Sequence, residues 1–146
     1  MSHAYNRIWL HVVFATKYRE PLISPNVEIS IHNHIKEQLT ETGCITRIIN
    51  GMPDHIHILF LLNPQKNVAE VVKQVKGNTT HWINQQSLLP KKFAWQTGYA
   101  SFSVSESQVN RVQHYIANQK EHHKKNSFNN EFDGLVAKHN LQLHES

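Results

Sequence analysis

The run of residues 53–62 constrains the fold of this chain most, because its apolar residues alternate and it ends in a bulky hydrophobic stretch. This pattern predicts a β-strand. Successive side chains of a strand point to opposite faces, so Ile56 and Ile58 share one face and His55 and His57 share the other. The two histidines would lie about 7 Å apart at Cα, close enough to bind one divalent cation. The alternative is a pair of partly exposed strand histidines without a ligand.

Length and composition limit the class of protein. A chain of 146 residues is long enough for one domain with its own core. The 15 Lys and Arg residues exceed the 11 Asp and Glu residues, and the net charge of +4 is compatible with a polyanionic partner. Cys44 is the single cysteine, which fits a reducing compartment. Since no segment approaches the ~20 apolar residues of a membrane span, we expect a cytoplasmic protein without membrane contact.

Spacing and capping residues predict two helices. Apolar residues recur every four positions over residues 27–39, directly after Ser24 and Pro25, which are typical of a helix start. Asn67, with Glu70 three residues later, has the pattern of a capping box and starts the second helix. Further strands are expected from composition at three places, namely residues 7–15, 44–50 and 95–104.

A third helix is expected at about residues 105–124, where Ser105 and Gln108 form the pattern of a second capping box. The resulting order predicts an α+β fold, a ferredoxin-like antiparallel sheet with helices on one face. The C-terminal helix would follow this sheet. We expect a single domain over residues 1–146, with a core at about 5–104, this helix, and a short tail at 125–146 that holds a polar linker (126–134) and a short helix (135–143).

In this fold one face of the sheet meets the first two helices. Ile56, Ile58 and Phe60 would lie on that face, which places the two histidines on the open face. Leu59 and Leu61 also point to the open face and should not remain in water. A third helix or a second subunit is therefore expected to cover them.

The third helix supplies a second group of polar residues. Tyr115 and Gln119 are four residues apart and lie on one helix face. A tyrosine in mid-helix is often a packing residue, but beside a histidine pair it fits metal-assisted phosphoryl transfer with tyrosine as nucleophile. A phenol has a pKa of about 10 and attacks poorly unless a cation neutralises the phosphate. His55, His57 and the Gln119 carbonyl would bind this cation, Mg²⁺ or Mn²⁺.

With this combination of a histidine pair and a helical tyrosine and glutamine, the chain resembles the single-tyrosine HUH transposases of the smallest bacterial insertion sequences, the IS200/IS605 family. The resemblance implies that His55 and His57 are the HUH metal ligands, that Gln119 is the third ligand and that Tyr115 is the nucleophile. It also implies a homodimer in which each tyrosine helix can complete the active site of the other subunit. The segments that carry it occur in unbroken order at residues 11–19, 51–57, 75–78, 95–99 and 115–123.

The expected substrate is single-stranded DNA with hairpins at the ends of the element. Cleavage would form a 5′-phosphotyrosine link, which a 3′-hydroxyl later resolves. Three aromatic residues, Trp82, Trp95 and Tyr99, would either stack bases or pack in the core. His114, His122 and His123 are near enough to be alternative ligands. The candidates for phosphate contacts, each of which is alternatively a solvated surface residue, are Lys17, Arg19, Lys73, Lys76, Arg111, Lys120 and His122.

Two other functions compete with the transposase. One is a non-catalytic nucleic-acid-binding module on the same fold, which would need exposed aromatic residues where this sheet has histidines. The other is a metal-dependent nuclease that uses water, in which Tyr115 has no chemical role.

Overall fold

The computed structural model describes residues 4–122, and within them the strands and helices follow the predicted order. The predicted linker at 126–134 and the short helix at 135–143 lie outside this range. The described elements are strands β1 (Trp9–Ala15), β2 (Ile45–Met52), β3 (His55–Leu61) and β4 (Ala100–Val104), and helices α1 (Pro25–Glu41), α2 (Val68–Gln85), α3 (Val109–Ala117) and α4 (Gln119–His122).

The four strands form one antiparallel sheet in the order β2-β3-β1-β4. The chain forms two β-α-β units, β1-α1-β2 and β3-α2-β4, which interleave in the sheet. Strand β3 lies between the two strands of the first unit, and β1 lies between the two strands of the second. Pro53 and Asp54 connect β2 to β3, and Met52 pairs with His55 directly across this tight turn. The predicted α+β, ferredoxin-like arrangement is confirmed.

The first face of the sheet packs against α1 and α2, as predicted. The side chains of Ile56, Ile58 and Phe60 are at most 2% exposed and belong to the main hydrophobic core. The spacing of four residues in α1 is also confirmed, because its apolar side chains face this core. The core residues from the helices include Val27, Ile31, Ile35, Leu39, Val71, Val72 and Val75.

The second face of the sheet is not open, because α3 lies across it. Leu59 is fully buried in a separate cluster with Trp9 of β1 and with Val109 and Ile116 of α3. The sequence leaves two possible covers for Leu59, a third helix or a second subunit, and the third helix of the same chain occupies this position. The histidine face of β3 therefore lies between the sheet and a helix rather than at an exposed surface.

The two predicted capping boxes have opposite outcomes. At the start of α2 the Glu70 amide donates to Asn67 Oδ1 and the Asn67 amide donates to Glu70 Oε1, both at 2.8 Å. The box predicted at Ser105 is wrong, because this side chain makes no capping hydrogen bond and a 3-10 turn (Glu106–Gln108) precedes α3. The helix then begins at Val109, where its apolar residues reach the sheet.

The predicted strand at 95–104 is shorter than expected. Trp95 forms only an isolated bridge with Thr16, and β4 begins at Ala100. Gly98 between them has a φ of 95°, a left-handed conformation that a β-strand cannot continue through. Among the described residues no helix is long and apolar enough to span a membrane.

Candidate metal and tyrosine site

His55 and His57 are the centre of the candidate site. Both point to the face of the sheet under α3, and both side chains are fully buried. Their ring centroids are 5.2 Å apart, and the ring planes are inclined by 72°. The predicted placement of the two rings on one face is confirmed, and α3, one of the two covers expected for this face, lies over them.

Each histidine is held through its Nδ1 atom. His55 Nδ1 lies 2.7 Å from Asp54 Oδ1, and His57 Nδ1 lies 2.8 Å from Nε2 of His11. Hydrogen bonds of this kind behind a histidine are typical of metal sites, because they orient the ring and leave the other nitrogen towards the ion. Sequence reasoning missed both partners, although Asp54 directly precedes the strand.

The carboxyl group of Asp54 is ionised in this setting. Its partial burial alone would raise the pKa, but the hydrogen bond with His55 and the nearby charge of Arg19 outweigh burial and lower it. The ionised carboxylate accepts a hydrogen bond from His55 Nδ1. The Nε2 atom of His55 therefore faces the opposite direction, where Gln119 Oε1 lies 3.4 Å away.

Tyr115 and Gln119 reach the histidine pair from the helix that covers it. The Tyr115 ring lies on α3, with its centroid 5.8 Å from that of His57 in an edge-on arrangement. Gln119 lies on α4 and is fully buried. The structure thus brings together all four residues that the sequence selects for metal binding and nucleophilic attack.

The helix that carries these two residues is broken, in contrast to the continuous helix predicted over 105–124. Asn118 lies between α3 and α4 with φ −98° and ψ 21°. The cause is a side chain of β2, since Asn50 Nδ2 donates to the carbonyl oxygens of Ile116 at 3.0 Å and Ala117 at 3.2 Å. These carbonyl groups at the end of α3 thus accept hydrogen bonds from a side chain of the sheet.

The donor set fits a divalent cation of intermediate hardness. Two imidazole nitrogens and an amide oxygen are ligands that Mn²⁺ accepts, and Mg²⁺ accepts the oxygen readily. Within residues 4–122 no group of three or more His, Cys, Asp and Glu side chains could hold a metal ion. A three-ligand site at this position therefore depends on the Gln119 amide.

The predicted phosphate-contacting residues occupy different environments. Lys17 and Arg19 lie in a 3-10 turn directly after β1, and Lys73 and Arg111 are exposed on α2 and α3. The side chain of His122 lies outside the described part of the chain, as does His123.

Two of the predicted phosphate-contacting lysines have partners inside the protein. Lys76 Nζ donates to the carbonyl oxygens of Gln96 and Gly98, and its burial lowers its pKa. Lys120 Nζ donates to Gly51 O at 2.7 Å and to Asn50 Oδ1 at 3.3 Å, and it forms an ion pair with Glu28. Lys120 thus connects α4 to the end of β2, just before the turn into the histidine strand.

The aromatic residues considered for base stacking have packing roles. Trp82, Trp95 and Tyr99 are partly buried against the main core. Trp95 contacts Phe14 at a centroid distance of 4.7 Å and donates through Nε1 to Lys76 O. These three residues therefore pack against the core, which is one of the two roles that the sequence left open for them.

Comparisons with known proteins agree on one family. The family model for IS200-like transposases matches residues 4–119. The ISDra2 transposase TnpA of Deinococcus radiodurans is 25% identical over 114 residues, which cover 75% of this chain and 81% of that protein. A crystal structure of a Deinococcus radiodurans R1 protein assigned to the transposases has a TM-score of 0.65 at 26% identity and covers 82% of this chain and 96% of its own.

A second solved structure supports the fold. The REP-associated tyrosine transposase bound to a REP hairpin has a TM-score of 0.61, and the match covers 84% of this chain and 74% of that chain. Its sequence identity is 15%, so this likeness concerns the fold alone. From the family match over most of its length, the chain belongs to the IS200-like transposases.

Proposed function

We propose that this transposase cleaves and rejoins single-stranded DNA at the ends of an insertion sequence through a covalent 5′-phosphotyrosine intermediate. The observation that carries the proposal is the meeting of Tyr115 and Gln119 with the buried pair His55 and His57 between the sheet and α3. Membership of a transposase family supports DNA as the substrate.

His55, His57 and Gln119 would hold the cofactor, Mg²⁺ or Mn²⁺. When bound, the cation supplies charge neutralisation at the scissile phosphate and makes the phosphorus more electrophilic. Asp54 contributes by orienting His55 from behind, at 2.7 Å from its Nδ1 atom. The surrounding helix excludes bulk water from the histidine rings, which strengthens the interaction between these ligands and a cation.

Tyr115 is the nucleophile in this mechanism. Its phenol oxygen attacks the phosphorus of a backbone phosphodiester while the bond between phosphorus and the 3′ oxygen breaks. The phenol loses its proton and the leaving 3′ oxygen gains one, so the products are a 5′-phosphotyrosine and a free 3′-hydroxyl. In the second step a 3′-hydroxyl from another cleaved end attacks the phosphotyrosine, and the strands are rejoined without an external energy source.

A basic turn next to the site is the proposed contact for the DNA backbone. Lys17 and Arg19 flank Tyr18, which is 81% exposed, and Tyr18 and Arg19 have φ angles of 56° and 54°. This left-handed backbone is costly for residues other than glycine, by about 1–3 kcal/mol each. The turn is fixed near the site by the Thr16 amide, which donates to Asp54 O at 2.9 Å.

The proposed substrate carries a hairpin. A protein of similar fold, the REP-associated tyrosine transposase, has been solved with a REP hairpin bound, which supports a structured single strand as the ligand. Exposed Lys73 and Arg111 would contact phosphates farther from the site. The proposal also includes a homodimer, which would bring two DNA ends together.

The test is an adduct assay on hairpin-bearing single-stranded DNA with Mn²⁺, analysed on a denaturing gel. We expect wild-type protein to form a covalent protein–DNA band and Tyr115→Phe to form none, because the phenylalanine ring lacks the attacking oxygen. Chelation of the cation with EDTA should abolish the band as well. The matched control is Tyr5→Phe, since Tyr5 is 93% exposed and lies outside the strands and helices that hold the candidate site.

Each other outcome supports a different mechanism. An unchanged band in Tyr115→Phe would contradict the nucleophile assignment. Cleavage without any adduct in the wild type would favour the metal-dependent nuclease that uses water. Binding without cleavage, over a range of hairpins and with either cation, would favour the non-catalytic module.

A further inference from the structure

We infer that His11 is a positioning residue that holds the ring of His57 with its Nε2 atom towards the metal. This inference rests on the metal site of the proposed function. His11 lies on β1, its side chain is 3% exposed, and it takes no part in the mechanism described above. Its Nε2 atom lies 2.8 Å from His57 Nδ1, a hydrogen-bond distance between two buried rings.

The contact follows from the register of the sheet. His11 pairs with Leu59, while His57 pairs with Val13, so the two histidines are diagonal neighbours on the same face. Their rings stack with centroids 5.1 Å apart and planes inclined by 29°. The β1–β3 pairing therefore sets the His11 ring against the Nδ1 side of the candidate ligand.

The hydrogen bond restricts the position of one proton. Two imidazole nitrogens that face each other at this distance share a single hydrogen, which one of them donates. If His57 Nδ1 is the donor, the neutral ring keeps a lone pair on Nε2 and can bind a cation. If His11 Nε2 is the donor, the proton of a neutral His57 lies on Nε2 and blocks the ligand position. His11 therefore has to act as the acceptor for His57 to serve as a ligand.

The surroundings of His11 hold its ring in place. Phe102 of β4 contacts it at a centroid distance of 5.8 Å, and Tyr115 of α3 contacts it edge-on at 6.2 Å. The His11 ring is thus packed between the neighbouring strand and the tyrosine helix. The arrangement parallels that of His55, whose Nδ1 atom is held by Asp54 instead.

The test compares Mn²⁺ affinity and ring protonation in the purified full chain without DNA. We expect His11→Phe, which keeps a ring but removes the acceptor, to weaken Mn²⁺ binding by about 10- to 100-fold. His11→Gln, which offers an amide oxygen as acceptor, should recover part of the affinity. The matched control is His34→Gln, because His34 stacks on Trp82 on the opposite face of the sheet.

The second measurement is the ¹⁵N chemical shift of the His57 ring in metal-free protein. In the wild type we expect the proton on Nδ1, and in His11→Phe a shift of population towards Nε2. Unchanged His57 shifts together with unchanged Mn²⁺ affinity in a folded His11→Phe variant would overturn the inference. If the wild type binds no Mn²⁺ at all, the proposed metal site fails, and the ring shifts still decide whether His11 sets the His57 tautomer.

If His11→Phe does not fold, the folded His11→Gln variant decides the question. A His57 ring proton that stays on Nδ1 in this variant supports the acceptor role of residue 11. A proton on Nε2 in the wild type itself would contradict it.

Discussion

Gly51 of β2 lies directly against the backbone of the histidine strand. A Cβ atom at this position would be 2.2 Å from the carbonyl oxygen of His55 and 3.0 Å from Cα of Ile56. Both are backbone atoms, so neither can rotate away as the end of a side chain could. The missing side chain at Gly51 is thus a condition for the position of His55.

The change Gly51→Ala is expected to lower the free energy of unfolding by about 1–3 kcal/mol, because β2 and β3 must move apart. The matched control is Gly77→Ala in α2, where a Cβ atom would meet nothing within 4 Å. At that position alanine should raise the free energy of unfolding by about 0.5–1 kcal/mol, because glycine is a poor helix former. Urea denaturation measures both changes, and a stable Gly51→Ala variant would contradict the close approach.

At the scale of whole elements, the starts of α2 and α3 show how far a local sequence pattern can be trusted. Both carry the pattern of a capping box, but only the one at Asn67 forms. At Ser105 the chain enters a 3-10 turn. Within that turn the carboxylate of Glu106 accepts hydrogen bonds from the Trp9 indole and the Arg7 guanidinium. These contacts with β1 and the preceding segment determine the conformation in place of the cap.

We expect Asn67→Ala to reduce the free energy of unfolding by about 1 kcal/mol, since the first amide groups of α2 lose their acceptor. Ser105→Ala, at the box that does not form, should change it by less than about 0.5 kcal/mol. Thermal unfolding of the two variants beside the wild type measures this difference. Equal losses in both would show that Ser105 caps α3 in solution.

The elements that depend on local patterns were predictable, and those that depend on distant contacts were not. The alternation of apolar residues predicted β3, and the recurrence of apolar residues every four positions predicted α1 and its buried face. The break at Asn118 could not be predicted, because the Asn50 side chain that causes it lies 66 residues before Ile116 in the chain. His11 was missed for the same reason, since only the pairing of β1 with β3 brings it to His57.

At the scale of the molecule, one chain brings together a full set of candidate residues. The sheet holds the histidines, and its edge strand β2 holds the helix that covers them. Arg47 of β2 donates to Gln113 Oε1 at 2.5 Å and to Asn110 Oδ1 at 3.0 Å on α3. This arrangement supports completion of the site within one chain, whereas the homodimer of the resemblance would allow exchange of the helix between subunits.

A mixture of two inactive variants distinguishes these arrangements. We expect chains with Tyr115→Phe and chains with His57→Ala to form no adduct when combined, because neither chain then holds a complete site. If helices are exchanged in a dimer, the mixed dimer would have one intact site and the DNA would attach to the His57→Ala chain. Different affinity tags on the two chains show whether mixed dimers form, and light scattering gives the mass of the free protein.

The break at Asn118 also has a consequence for engineering. In a continuous helix the side chains four residues apart move as one body, so any adjustment of one displaces the other. Here the junction is set by Asn50 and separates Tyr115 from Gln119. A library varied at residues 50 and 118 would therefore sample different distances between the Tyr115 hydroxyl and the Gln119 amide while leaving both groups unchanged, so the geometry of the proposed site could be selected separately from the chemistry of its side chains.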